Sequence, residues 1–176
     1  TYGYNTDYLG AVSMFQSAGV TIRQKKAVIL GSGGASRALI YAMYIEGASK
    51  ITVAARNEEA KQRLKERFPY IHTCTLHDIP SGDIIINTTP VGMYPKVWTS
   101  PVPASVIKCF SVAGDIVYNP MVTEFLHLAE ESGLLTVTGL RMLVDQAIAS
   151  EEIWLGKSLD SAIGTILHDR LAKRFL

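Results

Sequence analysis

Residues 26–36 have the sequence KAVILGSGGAS, and this stretch decides the fold. Its first part, residues 26–30, is a mostly apolar run with the length and composition of a buried strand. Glycine and serine follow at once, and from residue 35 to residue 46 apolar side chains recur at helical spacing. A strand that passes through a glycine-rich turn into a helix is typical of the start of a β–α–β unit with a dinucleotide-binding loop.

The small residues of this loop have predicted roles. Gly31 allows the tight turn after the strand, and Gly33, which has no side chain, lets a pyrophosphate approach the backbone. The small Ser36 permits close packing of the helix on the strand. The N-terminus of the helix offers free N–H groups and a partial positive charge to the phosphates. The alternative is a glycine-rich turn without a ligand, but the flanking strands and helix favour the dinucleotide loop.

Short strand-like runs and longer helical stretches alternate along the rest of the chain. This alternation implies parallel strands, because parallel neighbours need a crossover, and right-handed crossovers place helices on both faces. The sequence therefore predicts an α/β fold, a doubly wound parallel sheet of about six strands of the Rossmann type, with its ligand at the carboxyl ends of the strands. The predicted strands are residues 26–30, 51–55, 71–76, 83–86, a part of 112–118, and 134–137. The predicted helices follow residues 5–7 and cover 35–46, 58–68, 121–132, 141–155 and 159–174.

Length, charge and cysteine content limit the class of protein. The 176 residues fit a single domain, residues 1–176, and the net charge of +1 does not indicate a nucleic-acid or membrane-surface binder. No apolar run approaches the ~20 residues that span a bilayer. Cys74 and Cys109 form no disulfide framework, which favours a reducing, cytoplasmic setting. The residues His72, Cys74 and His77 have no fourth ligand nearby, so we expect no metal site.

The end of the second predicted strand indicates which dinucleotide binds. An NAD site normally has Asp or Glu about 20 residues after the glycines, where it binds the ribose hydroxyls. This chain has Ala54 and Ala55 there, followed by Arg56. A guanidinium can grip a 2′-phosphate with two N–H donors, whereas a carboxylate would repel it. We therefore expect NADP, with Lys61 and Arg63 adding positive charge; the alternative is that Arg56 is a solvated residue before a helix.

Other polar residues are weaker candidates when considered alone. Residues 87–89 (NTT) and 118–120 (YNP) each follow a predicted strand, where this fold holds its ligands, although a turn before a proline is the alternative. For Thr6 and Asp7 the ordinary interpretation is helix capping. For Gln146 it is a solvated position on a helix.

Five blocks of sequence, in order along the chain, resemble shikimate dehydrogenase. They are GYNTDYLG (3–10), GSGGASRA (31–38), NTTPVGM (87–93), DIVYNP (115–120) and GLRMLVDQ (139–146). Together they cover essentially the whole chain, which makes the resemblance far more specific than a glycine loop alone. The resemblance implies NADP-dependent interconversion of 3-dehydroshikimate and shikimate in aromatic amino-acid biosynthesis, with a hydride moving between the nicotinamide and the carbonyl carbon of the substrate.

The resemblance also implies roles for individual residues. Asp7 matches the aspartate of the family's Lys–Asp pair, which serves proton transfer, while Tyr118 and Gln146 match positions that contact substrate. Positions that match the family's cofactor contacts are Gly31, Ser32, Gly33, Gly34, Ala35, Arg56, Thr88, Ile116 and Gly139.

The chain departs from the family pattern at its start. Family members carry a substrate domain, with the catalytic Lys, before the block at residues 3–10, whereas this chain begins at Thr1. We therefore expect a cofactor-binding portion that is inactive alone, with helices at 1–19 and 141–176 bordering the missing domain. Apolar surface exposed on those helices favours self-association as a homodimer. Ala55 replaces a frequent Asn, so the phosphate grip is expected to rest mainly on Arg56.

Two other functions stay open from the sequence. The chain could belong to a relative that acts on quinate, which has an additional ring hydroxyl. It could also be a nucleotide-binding or regulatory module without catalytic activity.

Overall fold

A computed structural model of the chain describes residues 2–160 and 162–175, and its core is one parallel sheet. The order of the strands is β3-β2-β1-β4-β5-β6, and all five pairings are parallel. This order is that of a dinucleotide-binding doubly wound sheet and confirms the predicted fold class. The strands are β1 (Lys26–Leu30), β2 (Lys50–Ala54), β3 (His72–Cys74), β4 (Ile84–Asn87), β5 (Val112–Asp115) and β6 (Leu135–Val137).

The helices lie where the apolar periodicity predicts them, with shifts at several ends. The predicted helix at 121–132 begins later, because Thr123 is its N-cap and accepts a hydrogen bond from the Leu126 N–H at 3.3 Å. The predicted helix at 159–174 begins at Ala162, and a one-turn helix follows the loop at 91–103. The helices are α1 (Asp7–Ser17), α2 (Gly34–Ile45), α3 (Glu58–Arg67), α4 (Ala104–Ile107), α5 (Glu124–Glu131), α6 (Leu140–Leu155) and α7 (Ala162–Phe175). Thr1, Ser161 and Leu176, which the predicted ranges include, lie outside the described residues.

The core consists of two apolar layers, one on each face of the sheet. Alternate residues of β1 point to opposite faces, so Ile29 joins one layer and Leu30 the other. The first layer is formed with α1, α2, α3 and α6, and the second with α4 and α5. Burial on both faces explains why β1 is continuously apolar after the exposed Lys26 rather than alternating. Within the described residues, no helix is long and apolar enough to cross a membrane.

A close contact between α1 and α6 joins the two ends of the described chain. A Cβ atom added at Gly10 would lie 2.5 Å from the Met142 carbonyl oxygen and 3.1 Å from the Gln146 Cβ. The hydroxyl groups of Thr6 and Ser150 are hydrogen-bonded at 3.0 Å across the same interface. The two helices expected to border another domain therefore pack against each other, and only their remaining faces are free for that role.

Gly10→Ala should destabilise the fold, because the methyl group has no room against the backbone of α6. We expect a loss of about 1–3 kcal/mol in the free energy of unfolding, the usual cost of overpacking. Denaturant titration followed by circular dichroism measures it. Gly34→Ala, at a helical position where an added Cβ meets nothing within 4 Å, is the matched control. Equal stability of the two variants would contradict the close approach of the helices.

Candidate functional site

The glycine loop has the geometry of a phosphate cradle. Gly31 has φ of +112°, a conformation that favours glycine, and turns the chain away from the end of β1. Gly33 is the N-cap of α2, and an added Cβ at Gly33 or Gly34 would meet nothing within 4 Å. Ser36 is fully buried and its Oγ donates to the Gly31 carbonyl oxygen at 2.9 Å. The loop is therefore fixed from behind, while its backbone N–H groups at the start of α2 stay open in front.

Thr88 connects the two halves of the sheet at the point where the strand order reverses. Its N–H and its Oγ1 both donate to the carbonyl oxygen of Leu30, at 2.9 and 2.7 Å. A Cβ at Gly31 would lie 2.8 Å from the Thr88 Oγ1, so only glycine fits beside it. The hydroxyl of Thr88 is thus engaged within the protein, and the residue lies at the rim of the crevice rather than offering a free donor.

A cavity of about 410 Å³ runs from the glycine loop to the end of β2. Arg56 is exposed there. Of the described residues that line the cavity, Arg56 is the one with a charged side chain. None of those lining residues is Asp or Glu, so the cavity offers one positive charge to a ligand. The lining is formed by Gly31, Ser32, Gly33, Ala54, Ala55, Arg56, Asn57, Leu76, Thr88, Thr89, Pro90, Val91, Ser100 and Pro101.

The two other cations expected near Arg56 are already paired. Lys61 is buried, and its Nζ lies 2.6 Å from the Glu58 Oε2. The Arg63 Nη1 lies 3.6 Å from the Glu59 Oε2. Neither Lys61 nor Arg63 lines the cavity, and a glutamate one turn away on α3 is paired with each of them, so their contribution to the positive charge stays a prediction.

A second cavity, of about 500 Å³, lies on the other side of Thr88. It brings together the start of α2, the loop after β4 and the loop after β5, and most of its lining is apolar. Five predicted site residues meet here: Gly34, Ala35, Thr88, Ile116 and Tyr118. The lining is completed by Thr89, Pro90, Met93, Tyr94, Val117 and Asn119. Because both cavities include residues 88–90, they form one crevice across the switch point.

Asp7 lines a third cleft, of about 430 Å³, with Gly34 and Arg37. Thr6 is the N-cap residue of α1 but its side chain makes no capping hydrogen bond, and the Asp7 N–H donates instead to the Asn5 Oδ1 at 3.0 Å, so the interpretation that Thr6 or Asp7 caps the helix is wrong. Gln146, on α6, is partly exposed and faces Gly10 of α1. Asp7 is the first residue of α1. No lysine is found among the described residues that line this cleft.

Gly139, predicted to contact the cofactor, has a steric role that the sequence does not reveal. It is the N-cap of α6, and a Cβ there would lie 2.3 Å from the Ile116 carbonyl oxygen and 2.8 Å from that of Asp115. The turn between β6 and α6 therefore presses on the end of β5. Its cofactor contact stays a prediction.

Sequence reasoning missed a buried polar cluster behind the second cavity. The carboxylate of Asp115, at the end of β5, accepts hydrogen bonds from the Val117 N–H at 2.9 Å, the Thr123 Oγ1 at 2.7 Å and the Asn87 amide at 3.1 Å. Asp115, Asn87 and Thr123 are each fully buried. Burial raises the pKa of Asp115 to about 7, against the hydrogen bonds that lower it. The sequence did carry a signal for this cluster: Asn87 and Asp115 end adjacent strands, and Thr123 follows shortly after the second of them.

Known proteins are similar to this chain in sequence and in structure. Residues 13–92 match the family model described as shikimate / quinate 5-dehydrogenase. The chain is therefore similar to the shikimate/quinate dehydrogenases. A shikimate dehydrogenase (NADP(+)) of Clostridium perfringens is 41% identical over 177 residues, which is 99% of this chain and 65% of that relative. The chain thus spans 65% of the length of this relative, which is slightly less than two thirds.

Solved structures of this family superpose closely on the chain. A chorismate mutase/shikimate 5-dehydrogenase fusion protein from Clostridium acetobutylicum has a TM-score of 0.91 and 41% identity, covering 98% of this chain and 63% of its own. The shikimate 5-dehydrogenase of Thermus thermophilus, in complex with NADP(H) and shikimate, has a TM-score of 0.84 and 30% identity, covering 99% and 64%. These similarities confirm the resemblance found in the sequence.

The stability of the fold should depend on pH through Asp115. Because its pKa is raised in the folded state, the folded protein binds a proton that the unfolded chain releases, and this stabilisation is lost as pH rises through about 7. Relative to Asp115→Asn, the wild type should lose about 2.5 kcal/mol of unfolding free energy between pH 5 and pH 8, because the loss runs at 1.36 kcal/mol per pH unit until pH reaches the folded-state pKa. Denaturant titrations at both pH values measure the difference, and a pH-independent difference would contradict it.

Proposed function

We propose that this chain binds NADP⁺ along the crevice and contributes the cofactor side of a shikimate dehydrogenase. The observation that carries the proposal is the first cavity, which has an open helix N-terminus at one end and Arg56 as its charged residue. A pyrophosphate fits the N–H groups at residues 31–35. A 2′-phosphate fits the guanidinium of Arg56, since no lining carboxylate repels it.

The second cavity suits the nicotinamide half of the cofactor. Its apolar lining would exclude water around the ring, and Ile116 and Tyr118 approach it from the loop after β5. NADPH supplies a hydride to the carbonyl carbon of 3-dehydroshikimate, and a proton is added at the oxygen to give shikimate and NADP⁺. Thr88 holds the loop after β4 in place through Leu30.

Asp7, Tyr118 and Gln146 are proposed to act on the substrate. Asp7 would orient the reacting oxygen or take part in its protonation, because it lines the third cleft and its carboxylate has no hydrogen bond or ion pair among the described residues. Tyr118 would contact substrate from the second cavity, and Gln146 from α6. Ligand and role of each remain proposals for this chain.

The proposal extends to organisation and setting. Residues 1–176 would form one nucleotide-binding domain, whose free faces of α1, α6 and α7 meet another unit, either a substrate domain or a second copy in a homodimer. Cys74 and Cys109 are free thiols in the structure, which fits a reducing, cytoplasmic setting. Quinate is a second candidate substrate, because the matched family model includes quinate dehydrogenases.

Arg56→Ala should remove the preference for NADP⁺ over NAD⁺. The wild type should bind NADP⁺ more tightly by about 1–3 kcal/mol, the scale of hydrogen bonds to a charged group, and the variant should bind both cofactors alike. Isothermal titration calorimetry measures the four dissociation constants. Arg63→Ala is the control, since Arg63 is paired with Glu59, and it should keep the preference. Equal affinities in the wild type would refute the NADP assignment.

The 176-residue chain alone should show no useful turnover of 3-dehydroshikimate with NADPH. The physical reason is that no lysine lines the described cleft around Asp7, so the carboxylate lacks the partner that the family resemblance implies. NADPH absorbance at 340 nm follows the reaction with each candidate substrate, 3-dehydroshikimate or 3-dehydroquinate. Turnover of roughly 1 per second or faster, the range of ordinary enzymes, would show that these residues suffice for the chemistry.

A further inference from the structure

The buried carboxylate of Asp115 connects three segments that approach the second cavity. Its Oδ1 accepts from the Val117 N–H, and its Oδ2 accepts from the hydroxyl of Thr123, the N-cap of α5. Both oxygens lie 3.1 Å from the Asn87 amide nitrogen at the end of β4. No cation is paired with this carboxylate among the described residues, so these neutral donors alone hold it.

Asn87, which is hydrogen-bonded to Asp115, also holds the loop after β4 through hydrogen bonds. Its amide nitrogen also donates to the Val91 carbonyl oxygen at 3.1 Å, and its Oδ1 accepts from the N–H and the hydroxyl of Thr89, at 3.0 and 2.7 Å. Both faces of the Asn87 side chain are therefore committed. The amide of Asn87 has one orientation, because its nitrogen must face an acceptor, the Asp115 carboxylate, while its oxygen faces the donors of Thr89.

The segments that this network holds are cavity walls. From the loop after β4, Thr89 lines both cavities and Val91 lines the first, whereas Val117, from the loop after β5, lines the second alone. Asp115 itself does not line any of the three cavities, because it is fully buried behind them. A residue in this position can affect a ligand only through the loops that it holds.

We infer that Asp115 is a positioning residue, which sets the width of the nicotinamide-side cavity by fixing the loops after β4 and β5 to each other. This inference rests on the proposed function, since it assigns the second cavity to the nicotinamide half of NADP⁺. The first cavity depends less on Asp115, because Val117 does not line it and because Arg56 and residues 31–33 form no hydrogen bond with Asp115, Asn87 or Thr123 in the described structure.

Two ligands separate the halves of the crevice. Adenosine 2′,5′-bisphosphate carries the 2′-phosphate but no nicotinamide, so it tests the first cavity alone, whereas NADP⁺ tests both. The quantity to measure is the ratio of their dissociation constants, by calorimetry on the full chain at pH 8, where the carboxylate is ionised. A general loss of stability that leaves the folded crevice unchanged does not alter this ratio.

Asp115→Asn should disturb the cavity because it places an amide nitrogen against the Asn87 amide nitrogen, two donors facing each other. Either the pair separates or Asn87 turns over and loses its bonds to Thr89. NADP⁺ affinity should fall about tenfold or more, which converts to 1.4 kcal/mol per factor of ten. Affinity for adenosine 2′,5′-bisphosphate should stay within about twofold, by the same reasoning that separates the two cavities.

A second pair of variants keeps the test decisive if Asp115→Asn does not fold. Thr123→Val removes the hydroxyl that donates to Asp115, whereas Thr123→Ser keeps that hydroxyl and removes only a methyl group. Thr123→Val should weaken NADP⁺ binding several-fold without affecting the bisphosphate, and Thr123→Ser should bind both as the wild type does. Asp83→Asn is a control at the opposite end of β4, where the carboxylate accepts from the Lys26 N–H at 2.8 Å.

The outcomes separate this inference from the proposed function. If the wild type binds neither ligand, the proposed function fails and the inference with it. If the wild type binds both ligands but Asp115→Asn or Thr123→Val leaves the ratio of dissociation constants unchanged, the inference alone is overturned. Equal weakening of both ligands would also overturn it, because Asp115 would then act on the whole crevice. A selective loss of NADP⁺ affinity supports it.

Discussion

The parallel pairing of β1 with β4 is the constraint on which the rest of the molecule depends. At its end, the Leu30 carbonyl oxygen accepts both the N–H and the hydroxyl of Thr88. The chain leaves β1 toward β2 on one side and returns at β4 on the other, so a crevice opens where the strand order reverses. The glycine loop can turn beside this crevice because Gly31 has no side chain; an added Cβ there would lie 2.8 Å from the Thr88 Oγ1. Both cavities that we assign to the cofactor border this junction.

Behind the junction, the buried Asp115 carboxylate is stabilised by hydrogen bonds and not by an ion pair. Asp115 has no cation beside it in the described structure, and an isolated buried carboxylate is costly unless donors surround it. The donors are backbone and neutral side-chain groups that also shape the adjacent loops. At Arg56 the arrangement is the opposite: the cation is exposed and has no acidic neighbour in its cavity, so it is free to take a phosphate. Lys61 shows the third case, a buried cation neutralised by Glu58.

Much of the fold could be predicted from the sequence because its signals are local. The apolar run at 26–30, the loop at 31–34 and the helical spacing after it each depend on near neighbours, and strand, turn and helix appear there as expected. The pairing of Asn87 with Asp115 joins residues 28 positions apart, and the contact of Gly139 with Ile116 joins distant turns, so neither could be read from spacing. The burial of Lys61 could not be read from the sequence either, because it depends on the tertiary fold. The Arg56 cavity could be anticipated only because the glycine loop set its position.

The claim at the centre of this account is that one NADP⁺ molecule spans the switch point, with its 2′-phosphate at the end of β2 and its nicotinamide beyond Thr88. A crystal structure of the chain with NADP⁺ measures this directly. The account predicts the 2′-phosphate within hydrogen-bond distance of Arg56, the pyrophosphate on the N–H groups at residues 31–35, and the nicotinamide between Pro90 and Ile116. A cofactor bound with its adenosine in the second cavity, or with the 2′-phosphate away from Arg56, would contradict it.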